Sequence, residues 1–155
     1  MNEAYDWLFH EHSTTEELLR ECIEDAEMYS WDDCESNFNI LVENLKIHIA
    51  MEEEVLFPAY ERLTDLPQDP IKALRTEHDE IVRLLHDILI VLKTREADHI
   101  VASIQPLEAV LTSHHEKEED FFLPLAGFFL LPYQSSLEQE LKTFDPATAK
   151  RDWGF

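Results

Sequence analysis

Two stretches of the sequence, HIAMEEEVLFP at residues 48–58 and HHEKEEDFFLP at residues 114–124, share one arrangement of residue types. Each begins with a histidine and has a glutamate four residues later and a proline ten residues later. In an α-helix, residues i and i+4 lie on one face, so each stretch presents an imidazole and a carboxylate to one point. The repetition raises the question of why His and Glu occupy positions where a helix normally buries Leu.

The hydrophobic periodicity around these stretches predicts four long helices. Apolar residues recur at steps of three and four, and the His and Glu of both stretches fall on the apolar faces without a break in the period. The predicted inward faces are Tyr5, Leu8, His12, Leu19, Ile23 and Ala26; Phe38, Leu41, Leu45, His48, Glu52, Val55 and Ala59; Leu74, His78, Ile81, Leu85, Ile88 and Leu92; and Ile104, Leu107, Leu111, His114, Glu118, Phe121 and Leu125.

The histidines also reveal an internal repeat. His12 and His48 are 36 residues apart, as are His78 and His114, and the two pairs are offset by 66 residues. The chain therefore consists of two copies of a helix pair. Two such pairs with short turns predict an all-α fold, an up-down-up-down four-helix bundle with a short C-terminal fifth helix.

The domain organisation follows from this pattern. We expect the bundle to occupy residues 1–131, and a short helix and tail packing on the bundle to occupy residues 132–155. Pro106 falls inside the fourth periodic segment, where it either kinks that helix or lies in the first turn of a restarted one.

Residues that are equidistant from a short turn lie at the same depth of an antiparallel helix pair. By this rule six polar residues on the apolar faces share one level of the bundle: His12, His48, Glu52, His78, His114 and Glu118. An unpaired buried polar group costs about 1–3 kcal/mol, and an unpaired buried carboxylate costs several kcal/mol. The six side chains must therefore either bind one another in a hydrogen-bonded network or bind cations.

The ligand types indicate which cations would fit. Imidazole and carboxylate without cysteine favour a non-haem metal such as iron, and zinc and manganese also fit these ligand types. Two carboxylates from different helices could bridge two metal ions. The Glu-x-x-His pattern of ferritin-like carboxylate bundles does not match the His-x-x-x-Glu spacing here.

Composition excludes several other classes of function. The 155 residues carry a net charge of −22, which disfavours nucleic acid and anionic membranes as partners. We find no run of about 18 uncharged apolar residues and no basic segment typical of a signal peptide. Two cysteines, Cys22 and Cys34, do not make a disulfide framework. These features predict a cytoplasmic protein with free thiols.

Three further residues compete for a role at the site. Glu16 lies four residues after His12 and could complete a ligand set or hydrogen-bond a ligand. His115 and Glu119 form a second His-x-x-x-Glu register. The 36-residue spacing favours His114 instead, and His115 would be turned about 100° away.

Taken together, His12, the two quoted stretches and EHDEI at residues 77–81 resemble the hemerythrin-like, or HHE cation-binding, domain over roughly residues 3–130. The resemblance implies a four-helix bundle around a non-haem di-iron centre. It also implies terminal iron ligands at the four histidines and bridging carboxylates at Glu52 and Glu118.

The pattern departs from the oxygen carriers of this family. Those proteins have a His-x-x-x-His pair on the third helix, whereas this chain has Val82 at the second position. The twofold His-x-x-x-Glu pattern is more similar to bacterial proteins associated with repair of iron–sulfur centres under nitrosative stress, whose added N-terminal Cys-containing segment is not in this sequence.

Three hypotheses follow, the last of which is a purely structural bundle with a polar core. The first is a di-iron protein that binds or reacts with oxygen, nitric oxide or peroxide in an oxidative or nitrosative stress response. The second is an iron sensor or iron donor whose metal occupancy controls stability and the binding of a basic protein partner. Whether the protein is an enzyme, and its oligomeric state, do not follow from the sequence.

Overall fold

The computed structural model describes the backbone of residues 3–122, 124, 128 and 130–155, and the side chains of residues 10–120, 122, 124, 128 and 130–155. This part of the chain is helical and contains no strand. Its α-helices are α1 (Glu3–Glu27), α2 (Trp31–Met51), α3 (Phe57–Leu63), α4 (Asp69–Leu92), α5 (Ala97–Lys117) and α6 (Gln134–Thr143). Short 3-10 turns at Leu131–Tyr133 and Pro146–Thr148 flank α6. The all-α prediction is confirmed.

Two π-helical segments interrupt the regular helices, and both begin at a glutamate of the repeated stretches. The first, Glu52–Leu56, joins α2 to α3, so that the helix continues over residues 31–63. The second, Glu118–Phe122, follows α5 directly. The predicted unbroken α-helical period through Glu52 and Glu118 is therefore wrong, because a π turn closes its hydrogen bonds over one more residue.

The apolar side chains form two core clusters. The larger draws on α1, α2, α4 and α5, with Phe38, Leu85 and Leu107 fully buried in it. The smaller draws on the first π segment, α3, the start of α4 and α6, and includes Phe57 and Leu137. The predicted His and Glu positions fall between these clusters along the helices, so the polar layer is enclosed on both sides by apolar packing.

The predicted inward faces agree with the observed burial. Each predicted apolar position with a described side chain is buried, except Ile23, which is partly buried against the larger cluster. Tyr5, Leu8, Phe121 and Leu125 lie outside the described side chains.

The turns that follow α1 and α4 have the same unusual backbone. Tyr29 has a φ of 58° and Arg95 a φ of 53°, and the two residues are 66 positions apart, the offset of the sequence repeat. Each donates its backbone N–H to a carbonyl three residues back, of Ala26 or Leu92. A left-handed residue just after a helix is a common way to end it. The two halves of the chain therefore turn in the same way.

Helix contacts give a helical bundle in which α1 packs against α2 and α5, and α4 packs against α5. The up-down-up-down order and the division at residue 131 stay predictions. Pro106 lies inside α5, which continues through it, so the alternative of a restarted helix is wrong. Across the described residues, no helix has the length and apolar character that a membrane span requires.

Candidate metal centre

Six ionisable side chains meet in the polar layer between the two core clusters. They are His12 on α1, His48 on α2, His78 on α4, His114 on α5, and Glu52 and Glu118 at the starts of the two π segments. None of them is more than 4% exposed to solvent. The structure thus brings all six predicted residues together.

The six side chains form two groups that share both glutamates. His12 and His48 form the first group with Glu52 and Glu118, and His78 and His114 form the second with the same two glutamates. In each group, one ligand atom from every residue lies within 4.8 Å of the others. That arrangement has the size and donor set of two adjacent metal sites.

The two oxygens of Glu118 point to different groups. Oε2 lies 3.5 Å from Nε2 of His12 and 3.9 Å from Nε2 of His48, whereas Oε1 contacts Nε2 of His114. Glu52 likewise divides its oxygens between a histidine of each group. Both carboxylates therefore have the geometry of bridging ligands.

Several inward-facing atoms have no hydrogen-bond partner within the described part of the chain. They are Nε2 of His12, His78 and His114, and both carboxylate oxygens of Glu52 and Glu118. Leaving such atoms unpaired in a dry core costs about 1–3 kcal/mol each, and more for charged groups. Two metal ions would satisfy these atoms, because imidazole nitrogen and carboxylate oxygen are ordinary ligands of divalent transition metals. The residues present therefore fit a two-metal centre.

The buried carboxylates of the site favour protonation of the histidines. Burial opposes charge on His48 and His114, but Glu52 and Glu118 raise the pKa of His48 to about 10, and Glu118 raises that of His114 to about 10. Burial would also raise the pKa of Glu118, but His114, together with His12 and His48, holds it well below its usual value. A bound metal requires neutral imidazoles, so metal binding would displace these protons.

A proline lies two residues after each π segment. Pro58 has no N–H for the carbonyl of Glu54, so the α-helical bond between them cannot form. Just before it, the N–H of Phe57 donates to the carbonyl of Glu52, five residues back. Pro124 stands at the equivalent position after the second π segment. Each proline therefore accompanies a widened helical turn directly after a candidate bridging glutamate.

A second carboxylate lies behind three of the imidazoles, on the Nδ1 side. Glu119 Oε1 is 2.9 Å from Nδ1 of His12, Glu77 Oε1 is 3.3 Å from Nδ1 of His114, and Glu53 Oε1 is 3.3 Å from Nδ1 of His78. Such a partner orients the ring and keeps the proton on Nδ1, so that Nε2 is available to a metal.

None of these outer carboxylates was predicted to stand behind an imidazole, and Glu119 was considered only in the competing His115–Glu119 register. A signal for two of them was present, because Glu53 and Glu119 each follow a candidate bridging glutamate and are 66 residues apart. The competing His115–Glu119 register is not formed, since Glu119 contacts His12 instead.

His115 lies closer to the site than we predicted. It is only 3% exposed, and its ring stacks on His12 with centroids 3.9 Å apart. Burial, helped by His12 and His48, lowers the pKa of His115 to about 2, so the ring stays neutral. Its Nδ1 is 3.5 Å from a carboxylate oxygen of Glu16, a side chain that is 58% exposed. Neither residue belongs to the two ligand groups.

The two cysteines lie outside both groups. Cys22 and Cys34 are free thiols buried in the larger core cluster, as predicted. Each thiol donates to the backbone carbonyl of the other residue, at 3.8 Å and 3.4 Å. Their role is therefore packing and local hydrogen bonding between α1 and α2.

Comparison with known proteins agrees with this geometry. Residues 3–126 match the family described as Hemerythrin HHE cation binding domain. Comparisons with curated proteins and with solved structures gave no match. The family match spans most of the chain and includes all six candidate ligands, so the chain belongs to the hemerythrin HHE cation-binding domain family.

Proposed function

We propose that this protein holds a non-haem di-iron centre that binds or reacts with a small ligand (oxygen, nitric oxide or peroxide) in an oxidative or nitrosative stress response. The observation that carries the proposal is the pair of buried His/Glu groups that share Glu52 and Glu118. His12, His48, His78 and His114 would be terminal ligands. Iron, when bound, would supply the exchange between ferrous and ferric states.

The protein's own groups would have three tasks. The imidazoles and shared carboxylates would hold the ions. Glu119, Glu77 and Glu53 orient three of the rings through Nδ1. The two apolar clusters restrict the access of water. Two imidazoles and two shared carboxylates give each ion four protein ligands, fewer than six-coordinate iron takes, so positions remain for a small ligand.

Val82 supports a function other than simple oxygen transport. It occupies the position of the additional third-helix histidine of oxygen carriers, so this chain supplies one imidazole fewer to its centre. We propose that the protein is closer to the iron–sulfur-centre repair type, and that its helices follow the up-down-up-down order of a four-helix bundle. Its buried free thiols support a cytoplasmic location.

A second candidate function is an iron sensor or iron donor. The candidate ligands come from every long helix, so metal occupancy would be coupled to the stability of the whole bundle. The net charge of −22 favours a basic protein partner over nucleic acid or an anionic membrane.

The deciding experiment compares the wild-type protein with Glu118→Gln and, as the matched control, Glu116→Gln, whose side chain is exposed. Each is purified from iron-supplied cells, and its metal content and visible spectrum are measured. We expect about two irons per chain in the wild type and the control, and at most one in Glu118→Gln. Wild-type protein without bound metal would refute the metal centre, and equal metal in the wild type and Glu118→Gln would refute the role of Glu118.

Ligand addition separates the two candidates. Visible absorbance that changes with azide, peroxide or nitric oxide supports reaction with a small ligand. Spectra that do not respond, combined with unfolding on removal of iron, support the sensor or donor.

A further inference from the structure

The last residues of the chain lie against α2, the first π segment and α4. We call Lys150–Phe155 the C-terminal strap. The backbone N–H of Lys150 donates to Glu54 at 3.0 Å, and the carbonyl of Phe155 accepts from Lys46 at 3.0 Å. Residues that are distant in sequence therefore hold the strap in a defined position on the bundle.

The strap is anchored by its aromatic end. Trp153 is only 8% exposed and belongs to the larger core cluster, and its carbonyl contacts Nε2 of His86. Gly154 has a φ of 77°, and a Cβ there would lie 3.1 Å from the ring of His86. Both the backbone conformation and the space require glycine at this position. This anchor therefore holds the preceding residues of the strap in place.

Arg151 connects this anchor to the metal centre. Its Nε and Nη2 donate to the two oxygens of Glu53 at 2.8 Å and 3.1 Å, and its Nη1 donates to Asp79 at 2.8 Å. A bidentate arginine–carboxylate pair fixes the carboxylate in orientation as well as in position. The Arg151 side chain is 21% exposed and that of Glu53 14%, so solvent weakens the pair less than it would at the surface.

Glu53 passes the constraint to a candidate metal ligand. The same Oε1 that accepts from Arg151 lies 3.3 Å from Nδ1 of His78, at ion-pair distance without hydrogen-bond alignment. The His78 ring is fully buried and stacks on Phe57 at 5.7 Å. Phe57 and Glu53 together therefore define its orientation.

Within the described part of the chain, no arginine supports the corresponding contact in the other half of the repeat. There Glu119 contacts His12, and within the described residues no Lys or Arg pairs with Glu119. Glu77, behind His114, pairs with Lys117, one turn after His114 on the same helix. Glu53 also has Arg75 of α4 at 3.7 Å from its Oε2, but of the three outer carboxylates it is the one that, within the described residues, also pairs with a residue outside the long helices. The two ligand groups are therefore supported unequally.

We propose that the C-terminal strap positions one of the two metal sites. Arg151 fixes Glu53, and Glu53 fixes the ring of His78. As a result, the site formed by His78 and His114 retains its ion more firmly. Arg151 is a positioning residue that touches neither ion. The inference rests on the proposed di-iron centre and adds that retention of one ion depends on the C-terminal strap more than retention of the other.

The test is the release of iron into a ferrous chelator. Wild type, Arg151→Ala and Arg151→Lys are loaded with Fe²⁺ without oxygen, and the chelated iron is followed with time. The matched control is Arg83→Ala, because Arg83 makes comparable pairs with Glu80 and Asp87 on the exposed face of α4. Removing an outer partner of a ligand typically costs about 10- to 100-fold in metal affinity. Arg151→Ala leaves Glu53 in place, so for it we expect one equivalent to leave up to about 10-fold faster. The second equivalent and the control should be unchanged.

Two further measurements separate positioning from folding. Arg151→Lys keeps the charge but not the bidentate geometry, so it should restore the slow release only in part. In Co²⁺-loaded protein, the imidazole N–H proton resonances report each ring separately, and Arg151→Ala should alter the resonance of His78. A merely structural effect of the strap would disturb the resonances of all the rings.

The outcomes distinguish this inference from the proposed function. Wild-type protein that takes up no iron overturns both. Two irons in the wild type, with release from Arg151→Ala at the wild-type rate, overturn the strap's role and leave the metal centre intact. Equal acceleration of both equivalents in Arg151→Ala and Arg151→Lys also overturns it, because the tail would then support the whole fold and not one ligand.

Discussion

At the scale of single residues, two adjacent histidines on α5 have different roles. His114 and His115 are both almost fully buried, yet only His114 places a nitrogen among the ligand groups. His115 stacks on the ring of His12 and is kept neutral by burial. Burial alone therefore does not identify a ligand. The direction of the side chain around the helix axis does.

We expect His114→Ala to lower the metal content from two ions per chain to one or none, because it removes one of four protein ligands from the second group. His115→Ala should keep both ions, since His115 supplies no ligand atom. It should lower the free energy of unfolding by about 1–3 kcal/mol, because it leaves a cavity against His12. Metal analysis and denaturant unfolding of both variants provide the measurements.

This pair of variants is its own matched control, since the positions are adjacent and equally buried. The assignment of His114 would be wrong if His115→Ala lost metal while His114→Ala retained it.

The sequence was sufficient for the six candidate ligands but not for their surroundings. Spacing from the turns placed His12, His48, His78 and His114 at one depth, because helical rise and direction follow directly from residue number. The same reasoning placed His115 outside the ligand set, and it supplies no ligand atom, although its ring stacks on His12. Its burial depends on α1 packing against α5, which residue number does not specify.

At the scale of elements, the π segments are the main departure from the predicted helices. Each begins at a shared glutamate and is followed by a proline, Pro58 or Pro124. The periodicity predicted where the inward face lies but not the wider turn, because one extra residue in a turn changes hydrogen bonding more than hydrophobic pattern. Glu52 and Glu118 therefore project from a wider turn than an α-helix has.

We expect Pro58→Ala to weaken metal retention, because the new N–H could bond to the carbonyl of Glu54 and allow an α-helical turn that aims Glu52 differently. The same change should stabilise the metal-free protein by up to about 3 kcal/mol. Iron release into a chelator and unfolding of the metal-free protein measure the two effects.

Pro106→Ala is the control for this prediction, since Pro106 is an exposed proline inside α5. It should stabilise the chain without changing iron release. Identical iron release from Pro58→Ala and wild type would show that the π turn is not needed to aim Glu52.

The turns after α1 and α4 lead to a prediction about stability. Arg95 has a φ of 53°, which costs an L-residue roughly 1–2 kcal/mol, and its only described ion pair is a 3.9 Å contact with exposed Asp32. We expect Arg95→Gly to raise the free energy of unfolding by about 1 kcal/mol and Arg95→Val to lower it. Denaturant unfolding of the two variants checks the difference. The opposite order would contradict the left-handed turn.

At the scale of the whole molecule, the polar layer lies between two apolar clusters, and all four long helices contribute to it. Metal ions bound there would connect all four long helices at one level. Metal binding and folding are therefore coupled, because the complete ligand set exists only in the folded chain.

We expect removal of iron with a chelator to lower the melting temperature by roughly 10 °C. A site occupied at a thousand times its Kd contributes about 4 kcal/mol, and each kcal/mol corresponds to about 2–4 °C for a chain of this size. Calorimetry with and without iron, followed by re-addition of iron, measures the shift. Glu118→Gln should show little shift, and an equal shift in both proteins would disconnect the stabilisation from this centre.

The sequence by itself determined the helical class, the inward faces and the common depth of His12, His48, Glu52, His78, His114 and Glu118. These properties depend on local geometry, in which residue number sets direction and height. Only the tertiary structure decided that Glu53, Glu77 and Glu119 stand behind the imidazoles, that His115 stacks on His12, and that Arg151 reaches Glu53 from the tail. Those contacts join residues separated by up to 107 positions, and they form only once helix packing and the course of the tail have placed the side chains together.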